Sequence, residues 1–180
     1  EIDKETAVCL YTAILTDTGG FRFGNTSADV LAIASELFKL GADPSLIYAH
    51  CYEFKSKNFV MFQNYCINKA VFSDDDTVAY TTVYKRDLEK FNGKDDFTEG
   101  LAEQLRAIDT TDLAFVVKEL EPNKSCKISM RSKKYDVAEI CSAFGGGGHS
   151  RAAGCTIKSN VETAVKKILD EINRINNAKQ

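Results

Sequence analysis

The amino-acid sequence predicts an α/β protein: a helical segment, a helical connector, and then a domain with a mixed β-sheet flanked by helices. Three observations carry that prediction. Apolar residues recur at helical spacing up to Lys69. From Ala70 onward, β-branched and aromatic runs separated by turn residues replace that texture. The closing stretch "NVETAVKKILDEINRI" then returns to a helical stripe.

From Asp3 to Leu15, Ala7, Leu10, Tyr11 and Ile14 fall on one helical face, and "TDTGG" releases the backbone after it. "NTSADVLAIASELFKLGADP" predicts a second helix, capped by Thr26 or Ser27 and striped by Val30, Ile33, Ala34 and Leu37. Gly41 and Pro44 stop it. Pro44 to Lys69 reads as helix again, with a break near Lys55 to Asn58. "AVF", the acidic turn "SDDD" and "TVAYTTVY" predict strand, turn and strand; "FTEGLAEQLRAI" predicts a short helix. "DLAFVVKEL" and "CKISMRS" are strands joined by the turn "EPNKS".

The second of these strands alternates. Cys126, Ile128 and Met130 point to a core, and Lys127, Ser129 and Arg131 point the other way. "DVAEICSAFG" is a helix with Asp136 and Glu139 at capping-box spacing and a stripe of Val137, Ile140, Cys141 and Phe144. "GCTI" is a short strand. The last helix buries Val161, Val165, Ile168 and Ile172. A domain boundary is expected near residues 55 to 70, and no internal repeat interrupts the reading.

The 180 residues carry a net charge of -3, which disfavours a large electrostatic footprint on long nucleic acid; phosphate recognition must come from a local site. Six scattered cysteines without a CxxC pair read as reduced core thiols. No apolar run approaches the ~18 residues of a membrane span, and no signal peptide opens the chain, so a cytoplasmic protein is expected.

The most specific stretch is "FGGGGHSRAAG". One glycine, or two, can close the preceding helix, but four cost conformational entropy with no side chain to pack. Consecutive glycines let main-chain amides converge on an anion, and His149 adds a ring N–H. Arg131, from the polar face of its strand, offers a guanidinium fork suited to two phosphate oxygens; taken alone it reads as a solvated surface arginine, and its alternation with Ser129 just ahead of the glycine helix brings the two readings level. Asp17, just ahead of two glycines, reads either as a turn aspartate or as a ligand for a hard metal, which would need further partners. The contiguous Asp74 to Asp76 read as solvated. Tyr48, Tyr52, Phe59 and Phe62 read as core or interface with His50 structural among them, and no spacing nominates a catalytic cysteine.

"TDTGGFRFGNT", "GLAEQL", "KISMRS" and "FGGGGHSRAAG", in that order, resemble the DHH phosphoesterases, in particular the RecJ-like branch of bacterial oligoribonucleases that also act on 3′-phosphoadenosine 5′-phosphate. The resemblance covers nearly the whole chain. It implies three parts: residues 1–45 as the C-terminal remnant of a DHH domain, 46–70 as a helical connector, and 71–180 as a DHH-associated substrate-binding domain with its GGGH motif. It also implies Asp17 as a late ligand of a divalent metal, usually manganese. Ser129, Arg131, Ser132, Gly146, Gly147, Gly148 and His149 then bind the substrate's phosphate or nucleotide end.

The family's HxxxDxD and Asp-His-His motifs do not occur in this sequence, which begins at Glu1 within a helical pattern. The expectation is a piece of a longer protein that does not catalyse alone. In the intact protein, two-metal phosphodiester or phosphomonoester hydrolysis is implied. The implied partners are short oligonucleotides or phosphorylated nucleotides and the missing N-terminal DHH domain, with no membrane and a homodimer as an allowed assembly.

Exopolyphosphatase and cyclic-dinucleotide phosphodiesterase stand as alternative activities; pyrophosphatase is disfavoured because that branch carries a different C-terminal domain. An RNA-binding module like that of alanyl-tRNA synthetases is the rival from another class. The TDTG-bearing segment and the net charge of -3 speak against it. A purely structural role leaves the tetraglycine and His149 unexplained.

Overall fold

In the computed structural model, which describes residues 1–178, the first helix, α1 (Lys4–Asp17), starts where the Asp3 carboxylate accepts the Thr6 amide at 2.8 Å. The chain divides into two units, Glu1–Ser56 and Lys57–Gln180. The last two residues of the 71–180 region lie outside the described residues.

In the first unit, Ser27 caps α2 (Ala28–Lys39), and Asp43 caps α3 (Pro44–Tyr48), with proline in its first turn. A π-helical turn, Ala49–Glu53, follows. Ala7, Tyr11, Leu15, Ala34, Leu37, Ala42 and Ile47 form this unit's core. Two residues expected in the stripes are not buried: Leu10 is 43% exposed and Ile33 is 53% exposed. The small core closes along Ala7, Tyr11 and Leu15 on α1 and along Ala34 and Leu37 on α2, which turns Leu10 and Ile33 outward.

The second unit opens with α4 (Lys57–Asn68), which buries Phe62 and Cys66. Six strands among the described residues form one sheet: β1 (Val71–Phe72), β2 (Val78–Val83), β3 (Leu113–Glu121), β4 (Ser125–Ser132), β5 (Gly147–His149) and β6 (Ala152–Ile157). Their order is β1-β2-β3-β4-β6-β5. Only the β2–β3 pair is parallel, so the sheet is mixed. Parallel neighbours need a crossover, here α5 (Lys85–Lys90), the 3₁₀ turn Asp95–Thr98 and α6 (Leu101–Arg106).

One face of the sheet packs on α7 (Val137–Ser142) and α8 (Val161–Ala178), with Phe115, Ile128, Met130, Ile140 and Ile168 at the centre. On the other face, Phe62 of α4 and Leu101 and Leu105 of α6 cover β2 and β3 through Val83, Ala79, Ala114 and Val116. Beyond β3 this second face is open, and Lys127, Thr156 and His149 are exposed on it.

Two elements differ from the expectation. "KRDLEK" forms α5, because the Asp87 carboxylate accepts the Tyr84 amide at 3.0 Å and starts a turn where the sequence shows no clear stripe. The glycine run continues as strand β5. Among the described residues, no helix is long and apolar enough to cross a membrane.

Candidate functional site

The open face of the sheet is organised in rows by the strand register. Arg131 pairs with Ala152, and Ala152 pairs with His149, so these three form one row across β4, β6 and β5. Ser129, Gly154 and Gly147 form the next row. Neighbouring strands are about 4.8 Å apart, which puts His149 and Arg131 about 10 Å apart across the row. Alternation along β4 and β6 buries Cys126, Ile128, Met130, Ala153 and Cys155 on the core side. Arg131, Ser129 and Lys127 therefore share the open side. The floor between His149 and Arg131 carries only Ala152, Gly154 and Gly147. It is a shallow bare strip bounded by an imidazole and a guanidinium.

Arg131 is held in place. Its Nε donates to Glu103 Oε1 on α6 at 2.7 Å, and an Nη donates to the Met130 carbonyl at 2.8 Å. In the sequence Glu103 looks like a solvated helix residue. Only the packing of α6 beside β4 brings it to the guanidinium. Ser129 is half-buried in the same cleft. Ser132 is turned away: it is buried on the core side, and its hydroxyl accepts the Tyr135 amide at 2.6 Å, which closes a turn. The period of two along β4 separates Ser132 from Arg131.

The glycine run does not form the converging cradle expected of it. The amides of Gly145 and Gly146 donate to the Ser142 and Cys141 carbonyls, each at 3.0 Å, and close the C-terminus of α7. Gly146 is also pressed against Gly154 and Cys155 so closely that any side chain would collide with backbone. Gly148 has φ 146° and faces the Ala152 carbonyl and Ala153. Gly147 differs, because a β-carbon there would meet open space and its φ is not positive. As an edge strand, β5 presents one row of main-chain groups unpaired by sheet bonding, next to the exposed His149.

Alongside these rows, between the open strands and the wall formed by the 3₁₀ turn and α6, lies a cleft of about 770 Å³. Its floor includes Val116, Lys118, Lys127, Ser129 and Arg131, and its wall includes Asp95, Asp96, Glu99 and Glu103. Three cations therefore face four carboxylates. A bound phosphate gains from the floor only where it displaces a wall carboxylate or reaches a cation that none holds.

Asp17 lies in the other unit, exposed at the end of α1, where its carboxylate accepts from Asn25 Nδ2 at 2.9 Å. No group of three or more His, Cys, Asp or Glu residues among the described residues is placed to hold a metal. The donors of this chain do not by themselves make up a manganese site. Asp75, in the acidic turn, accepts from Ser73, Thr77 and the Thr77 amide, which holds its carboxyl below the usual range, and it stays exposed.

A family model described as the DHHA1 domain matches residues 75–178. The bifunctional oligoribonuclease and PAP phosphatase NrnA of Thermus thermophilus is 29% identical over 174 residues, covering 96% of this chain and 51% of that protein. The protein of the same name from Bacillus subtilis is 27% identical over 163 residues, covering 88% of this chain and 50% of that one. Among solved structures, an exopolyphosphatase-related protein from Bacteroides fragilis superposes with a TM-score of 0.88 at 28% identity, covering 96% of this chain and 51% of that one. The chain spans about half the length of the curated relatives it matches.

Proposed function

The chain belongs to the DHHA1 domain family, and from that premise we propose that residues 71–180 are the substrate-binding domain of a DHH-type phosphoesterase. In this reading the domain grips the phosphate-bearing end of a short oligonucleotide or phosphorylated nucleotide. The relatives named oligoribonuclease and PAP phosphatase are phosphoesterases, which supports the substrate class. The single observation that carries the reading is the row His149–Ala152–Arg131 with its bare floor. A phosphate that displaces Glu103 can take the guanidinium fork at one side and the imidazole N–H at the other, while the attached nucleotide lies over Ala152, Gly154 and Gly147. Ser129 adds a hydroxyl in the next row.

Residues 1–45 then belong to a DHH domain and 46–70 to the connector. Leu31, Ile33, Phe38 and Leu40 are exposed apolar residues of the first unit that the rest of such a domain would cover. Asp17 is one manganese ligand, and the others come from the partner domain. Hydrolysis is a property of the whole protein, cytoplasmic in this reading. With Mn2+ added, the 180-residue chain binds a 5′-phosphorylated oligonucleotide without turning it over; any release of mononucleotide by the purified chain would defeat this part of the proposal.

The binding role is tested by titrating the chain with adenosine 5′-monophosphate. Arg131→Ala and His149→Ala are each expected to weaken binding about tenfold, the value of one charge-assisted contact, with the fold retained by circular dichroism. Affinity unmoved by both substitutions would refute the grip. An exopolyphosphatase-type role is the second reading, favoured by the name of the Bacteroides fragilis structure. It predicts that tripolyphosphate competes as well as any nucleotide of equal charge.

A further inference from the structure

The cleft holds two cations that the nucleotide grip does not use. Lys118 on β3 and Lys127 on β4 are register partners and face the same cleft. Like charges directly opposite each other in a sheet destabilise it, so the pair has a cost that the fold does not require. Lys118 is also the more deeply placed, with its side chain 10% exposed against a strand whose other inward residues are apolar. Its ion-pair partner among the described residues is Asp95 at 3.3 Å, on the short 3₁₀ turn, with a side chain 87% exposed. Lys127 is exposed and makes no ion pair among the described residues.

We infer that Lys118 and Lys127 form a second anion subsite, which takes a further phosphate of the same short oligonucleotide. The inference rests on the proposed grip at Arg131. Lys127 stands four residues from Arg131 on the same side of β4, a separation of about 13 Å, with Ser129 midway. Floor cations about 13 Å apart, at the two ends of one cleft, match two phosphates of an extended strand that are two nucleotides apart. The exposed Asp95 carboxylate occupies the place of the second phosphate and swings out on its turn when the ligand enters. The subsite thus reads length: a mononucleotide reaches one end of the cleft, and a trinucleotide reaches both.

The test titrates the 180-residue chain with adenosine 5′-monophosphate and with 5′-phosphorylated triadenylate over a range of salt. Wild type is expected to bind the trinucleotide at least about tenfold more tightly. Lys127→Ala removes most of that gain, leaves mononucleotide affinity within about twofold, and lowers the salt slope for the trinucleotide by about 0.7, the value of one lost phosphate contact. Lys118→Gln, checked for folding by circular dichroism, acts in the same direction. The inference is overturned if wild type shows no gain with length, if Lys127→Ala leaves the gain and the slope unchanged, or if it weakens both ligands equally. If Arg131→Ala spares the mononucleotide while Lys127→Ala still removes the length gain, the grip at Arg131 fails and the lysine subsite stands.

Discussion

At the scale of single residues, the glycine run separates into positions with different physical demands. Gly146 and Gly148 are required by contact, one against Gly154 and Cys155 and the other by a φ of 146° beside Ala152 and Ala153. Alanine at either position forces backbone apart or strains it, at a cost of about 1–3 kcal/mol in thermal or urea unfolding. Gly147 has neither constraint. Gly147→Ala is expected to leave stability within about 0.5 kcal/mol, yet to weaken nucleotide binding by raising the floor between His149 and Arg131. Calorimetric melting and ligand titration of the same variant check both halves. Equal loss in Gly147→Ala and Gly148→Ala would mean the whole run serves the fold alone. The row of glycines is visible in the sequence; which of them the fold needs is not.

At the scale of elements, α5 shows how a short helix is secured without a hydrophobic stripe. Burial of Asp87 opposes ionisation, but Lys69 Nζ at 2.6 Å, the Tyr84 amide at 3.0 Å and the Tyr65 hydroxyl at 3.0 Å outweigh it. Its carboxyl is therefore held below the usual aspartate range. A carboxylate with a depressed folded-state pKa contributes stability that is complete above the unfolded value of about 3.9 and is lost as pH falls toward the folded value. Asp87→Asn is expected to lower stability at pH 7 and to flatten the loss of stability below about pH 4 relative to wild type. Parallel pH-stability curves for the two proteins would exclude Asp87 from that role. The tether also fixes α5 to α4, because Lys69 follows α4 directly.

At the scale of the molecule, the grip and the lysine subsite both lie in Lys57–Gln180, and Asp17 lies in Glu1–Ser56. The larger unit has its own cores on both faces of the sheet. Expressed alone as residues 57–180, it is expected to melt cooperatively and to bind adenosine 5′-monophosphate within about twofold of the full chain. A failure to fold, or loss of binding in a folded fragment, would place essential parts of the grip in the first unit. Within the larger unit, Cys66 and Cys126 are buried, which pushes their thiols up to about 12 and about 11.

The residue pattern alone determined the mixed α/β class, most helix starts and the polar side of β4. These follow from local rules: side-chain period, capping and turn chemistry act within a few residues, so they can be read along the chain. Tertiary structure decided the rest. It placed Glu103 on Arg131, turned Ser132 into the core side, closed α7 with the first two glycine amides, and set Lys118 against Lys127 in one cleft. Each depends on strand register or on a helix packed across the sheet, between residues distant in sequence. No local period carries that information, because it comes from the rows in which the strands align.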